Sequence, residues 1–87
     1  MNTEVKENIT LPDPSHFIWR DLVTGKKSYQ FQFLAAKLLL SRIQIQLRNR
    51  HSETLVQHSM QELHDLLQKN KNVPSARKDI ENLFGKA

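Results

Sequence analysis

Apolar residues recur along this chain with two different periods, and the elements it predicts follow from them. Between Ser52 and Lys69 the residues Leu55, Val56, Met60, Leu63, Leu66 and Leu67 share one arc with Ser59 when each position is turned by about 100°. Gln57, His58, Gln61, Glu62, His64, Asp65, Gln68 and Lys69 cover the remaining circumference. This is the pattern of a one-sided helix lying on a core. Ser52 is suited to cap its start, and Glu53 in the first turn suits the helix dipole. After a polar connection, Pro74 opens a last helix with Ala76, Ile80, Leu83 and Phe84 on one face, and Gly85 closes it.

The block from 28 to 49 is more apolar and less one-sided. Ser28 is the candidate N-cap. One stripe holds Phe33, Ala36, Leu39, Leu40, Ile43 and Leu47; a second holds Phe31, Leu34, Ala35, Leu38 and Ile45. A helix apolar on two sides is packed on two sides, and so short a chain has few other elements to cover both. A second chain is therefore expected against it. The polar run from Arg48 to Ser52 predicts a break, with Asn49 suited to a left-handed turn residue. A helix running unbroken through this point is the alternative, since neither Gly nor Pro enforces the break.

Residues 13–24 admit two readings. Asp13 as N-cap, Pro14 at N1 and Gly25 past the end predict a short helix with Phe17, Leu22 and Ile18 on one face. Tyr29, Phe31 and Phe33 alternate with Gln30 and Gln32, which is strand periodicity, and predicts a hairpin over 17–33 packed on helices. Cap signals at both ends favour the helix, and an isolated hairpin is marginal. The expected fold is all-α: a small three- to four-helix bundle, or a helical hairpin with short flanking helices, at 28–49, 52–69 and 74–84 with a fourth at 14–24. Residues 1–12 carry no apolar periodicity and are expected to form a disordered arm ahead of a single domain at 13–87.

Composition narrows the function classes. The chain has 87 residues, 38% hydrophobic and 25% charged, which is one small domain with little room for a large enzyme cleft. With no cysteine, thiolate chemistry and cysteine zinc sites are excluded. No apolar run is long enough for a membrane span or reads as a secretory signal, so a cytoplasmic protein with no membrane partner is expected.

The net charge of +4 is unevenly placed. Between 16 and 51 Asp21 alone faces Arg20, Lys26, Lys27, Lys37, Arg42, Arg48 and Arg50, whereas acids and bases balance beyond 52. Lys26, Lys27, Arg42, Arg48 and Arg50 are accordingly the candidate nucleic-acid contacts, with Trp19, Tyr29 and Phe31 as conceivable stacking faces. A solvated basic surface and core aromatics are the simpler reading of both. The helix at 52–69 has three acids and no Arg on it, which disfavours a DNA-reading helix-turn-helix.

No catalytic motif is present: there is no Gly-rich phosphate loop and no nucleophile elbow. His58, Glu62 and Asp65 stand at i, i+4 and i+7, a spacing that converges on a metal or, more simply, decorates an exposed face. No enzyme activity, cofactor, metal or small-molecule substrate is expected, and no motif points to a particular family. The function expected is that of a small protein-binding or regulatory adaptor acting through helix–helix contacts, a homodimer or one half of a heteromeric pair. The candidate interface residues are Trp19, Phe31, Leu34, Leu38, Leu40 and Ile45; the alternative is a nucleic-acid-binding regulator using the basic residues of 20–51.

Overall fold

The computed structural model describes residues 11–14 and 17–84, with the backbone alone at Phe17 and Ile18. The described residues form four helices and no strand: α1 (Phe17–Thr24), α2 (Leu34–Arg48), α3 (Glu53–Lys69) and α4 (Pro74–Leu83). The fold is all-α, and the hairpin alternative at 17–33 is replaced by a helix followed by an irregular segment. α2 and α3 form an antiparallel hairpin, in which Arg42 reaches Glu62 across the pair. α1 packs on α2, and α4 on α3.

The first two helices end with the same device. At the end of α1, the Lys26 N–H donates to the Asp21 carbonyl and the Gly25 N–H to that of Leu22, with Gly25 at φ +88°. At the end of α2, the His51 N–H donates to the Gln46 carbonyl and the Arg50 N–H to that of Leu47, with Arg50 at φ +59°. Each is a Schellman motif, which needs one left-handed residue just past the helix. The break predicted after Arg48 is present, but the left-handed residue is Arg50; Asn49, at φ −89°, is the C-cap. Ser52 caps α3 as its sequence requires, its hydroxyl accepting from the Leu55 N–H at 3.2 Å.

Two predicted helix starts move. Pro14 lies in a turn outside the helix. α2 starts at Leu34, not near Ser28: residues 28–33 are non-helical, with Phe33 extended at the N-cap, Phe31 buried and Gln30 and Gln32 exposed. The alternation of Tyr29, Phe31 and Phe33 with Gln30 and Gln32 is met in burial but gives no strand. The segment lies on helices and lacks a partner strand.

The core is built around Trp19, Ile43, Leu63, Leu67 and Ile80, all fully buried. Trp19 meets Phe84 with ring centroids 5.2 Å apart and His64 at 6.1 Å, joining α1 to the end of α4 and the middle of α3. Its indole N–H donates to the Pro12 carbonyl at 2.9 Å, and Leu11 is itself buried. Of the arm expected at 1–12, residues 1–10 lie outside the described residues, while its last two positions pack on the domain. The proposed stop at Gly85 also lies outside them. No helix among the described residues is long and apolar enough to cross a membrane.

Candidate functional site

What the core leaves uncovered is concentrated on α2. Ala36, Leu39, Leu40 and Ile43 face inward and are buried. On the opposite side Leu34, Leu38 and Ile45 are 64%, 61% and 50% exposed. At about 100° per residue these three lie within roughly 40° of one another, so they form one stripe along the outer face. With Ala35 they are the part of the second apolar stripe that lies within α2; Phe31, its remaining member, precedes the helix and is buried.

Cations border the stripe on both sides. Lys37 and Arg48 lie toward α1, each lining a groove that includes Gly25 of the α1–α2 connection. Arg42 lies on the other flank, beside α3, where its guanidinium meets the Glu62 carboxylate at 2.6 Å. α2 itself contains no acidic residue. Between α2 and α3 runs an open groove of about 620 Å³ whose apolar floor is Ala35, Leu38, Leu39 and Leu66.

The six interface candidates thus separate into two groups. Trp19, Phe31 and Leu40 are core residues of this chain and present no contact surface. Their size and apolarity, which made them candidates, is the reason the fold buries them. Leu34, Leu38 and Ile45 remain.

The five basic candidates do not form one patch. Lys26 and Lys27 are exposed in the α1–α2 connection and Arg48 faces the same side, but Arg42 lies across α2 in an ion pair and Arg50 occupies the α2–α3 turn. Of the aromatic stacking candidates, Trp19 and Phe31 are buried, and Tyr29 is half-buried against Phe31 with ring centroids 5.1 Å apart. The line His58, Glu62 and Asp65 does not converge: Glu62 is engaged by Arg42, and Asp65 accepts from the Gln61 amide at 3.0 Å. Among the described residues no group of three metal-ligating side chains comes together.

One polar site was missed by sequence reasoning. Asp79 of α4 is fully buried. Its carboxylate accepts from the Tyr29 hydroxyl at 2.6 Å, from the Gln32 N–H at 2.8 Å and from the Phe33 N–H at 2.8 Å. A carboxylate at the N-terminal edge of α2 also complements the dipole of that helix. Burial, and then the hydrogen bond to Asp79, push the Tyr29 phenol up to about 12, against a smaller opposing effect of Asn82. The signal was available in principle: Asp79 stands among Ala76, Ile80 and Leu83 on the apolar face of its helix, where an acid needs partners. The site ties the irregular segment ahead of α2 to α4, up to the residue before α2 begins.

Comparison with protein-family models, with curated proteins and with solved structures finds no match to this chain.

Proposed function

We propose that the protein is a small non-enzymatic binding or regulatory module that engages another protein through the outer face of α2. The observation that carries this reading is the exposed line of Leu34, Leu38 and Ile45 on an otherwise well-packed bundle. Scattered single apolar residues on a surface are ordinary, whereas these three fall on one face of one helix, Leu34 and Leu38 a turn apart and Ile45 two turns on. Covering a Leu or Ile side chain fully stabilises by about 1.5–3 kcal/mol, so such a strip is a useful source of affinity. A helix laid along it would find anchors at the spacing that helix-in-groove recognition uses.

Anion binding by Lys26, Lys27, Lys37 and Arg48 is the second reading, because no acid of the described residues forms an ion pair with them. The burial of Trp19 and Phe31 weakens its single-stranded nucleic-acid form.

The test is a selection of displayed helical peptides on the immobilised full chain, with counter-selection on the variant Leu34→Gln/Leu38→Gln/Ile45→Gln. Peptides that bind the parent and not the variant are expected, while the variant keeps its thermal transition. Failure to enrich any peptide with that dependence would remove the reading.

A further inference from the structure

Resting on that reading, we propose that the occupant of the α2 face is an acidic amphipathic helix of a different protein. The apolar strip alone does not choose between a second copy of this chain and another partner; the charges beside it do. Lys37 and Arg48 border the strip on one side and Arg42 on the other, and α2 has no acid. When two copies of α2 pack antiparallel about a two-fold axis, like flank meets like flank. The register that sets Leu38 against Ile45 of the other copy then brings Lys37 close to Arg48. In a parallel pair the Lys37 and Arg48 flank meets that of Arg42, whose charge Glu62 already neutralises, and α2 brings no acid of its own to it. The antiparallel pairing concentrates positive charge around an apolar contact that excludes water, where like charges repel most, and the parallel one gives Lys37 and Arg48 no acid of α2 to meet.

An incoming helix with Leu or Ile on one face and Glu or Asp on the shoulder beside Lys37 and Arg48 meets neither difficulty. Its carboxylates reach Lys37 and Arg48, which form no ion pair with the described acids of this chain. On the other shoulder Arg42 is already neutralised by Glu62. Discrimination therefore comes from the Lys37 and Arg48 side. A nucleic acid satisfies the cations but leaves Leu34, Leu38 and Ile45 exposed, so the observations favour the peptide.

The selection described above decides this when the displayed peptides, about four turns long, carry randomised flanks. Enriched sequences should be net acidic, with Leu or Ile at i, i+4 spacing. The best of them, synthesised and labelled, should lose about tenfold or more in affinity for Lys37→Glu/Arg48→Glu, and weaken as salt rises. The milder pair Lys37→Gln/Arg48→Gln gives the same direction should the double reversal disturb folding. Enriched peptides that need Leu38 but carry no acidic bias would overturn the proposal and leave the α2 face as a protein-binding surface. So would a Leu38-dependent dimer in sedimentation equilibrium. Absence of any enriched peptide would overturn both. A labelled duplex or single-stranded oligonucleotide bound more tightly than the peptide, and lost on the same charge reversal, would overturn both in favour of nucleic acid.

Discussion

The Tyr29 hydroxyl donates to the Asp79 carboxylate at 2.6 Å across fifty positions of sequence. The same carboxylate takes the N–H groups of Gln32 and Phe33, so one side chain of α4 anchors the segment leading into α2. Removing the acceptor strands three donors in a part-buried place. Each stranded donor costs about 1–3 kcal/mol, less where water can reach it. Asp79→Ala should therefore lower the unfolding free energy by about 3 kcal/mol or more in urea titrations, and Tyr29→Phe by about 1–2 kcal/mol. In the double variant the Tyr29 substitution should cost much less than it does alone, because its partner is already gone. Additive losses would show that the pair is not coupled.

The phenol supplies a pH test. Its folded pKa of about 12 lies above the ordinary value of 10.0, so the folded state holds the proton more tightly than the unfolded state. This contribution to stability is fully present below pH 10 and is lost as pH rises through about 12. Tyr29 is the only tyrosine, so phenolate absorbance near 295 nm reports it alone. The expected midpoint is well above 10, and the parent should lose more stability between pH 10 and 12 than Tyr29→Phe does. A midpoint near the ordinary value would contradict the buried hydrogen bond.

Trp19 is buried between α1, α3 and α4, and Leu11 joins the same core. Trp19→Ala should cost about 3–5 kcal/mol and Leu11→Ala about 2 kcal/mol or more, by chemical denaturation. A Leu11 substitution without effect would place the domain boundary after Pro12.

Arg50 holds the left-handed position that Gly25 holds at the end of α1. A residue with a Cβ is strained there by about 1–2 kcal/mol, and glycine is not. Arg50→Gly should raise stability by about 0.5–1 kcal/mol, part of the relief being offset by the greater freedom of glycine when unfolded. The melting temperature of the variant checks the sign.

Much of this architecture was legible locally. Ser52 and the single arc from Val56 to Leu67 specify α3 without reference to the rest of the chain, and Pro74 specifies the start of α4. The start of α2 was not, because Phe31 and Phe33 fit a helical stripe and a two-residue alternation equally well. The decision rests with Asp79, which lies 46 or more positions away and acts only once α4 has packed. The turn at Arg50 was hidden because glycine, the usual residue there, is missing. For the candidate site, sequence gave the two apolar stripes of α2, but which stripe stays open depends on where α1 and α3 dock. Trp19, Phe31 and Leu40 had the right chemistry for an interface and were taken by the core.

The central claim is that the face of α2 bearing Leu34, Leu38 and Ile45 is the surface through which this protein binds another. Titrating the best selected peptide into the isotope-labelled full chain, and following its amide resonances, tests this most directly. The predicted result is a set of shifts centred on α2, reaching the adjoining groove side of α3 and the end of α1 beside Arg48, abolished by Leu38→Gln, with α4 unchanged. Shifts centred on α1 or α4, or shifts on α2 that persist in Leu38→Gln, would contradict it.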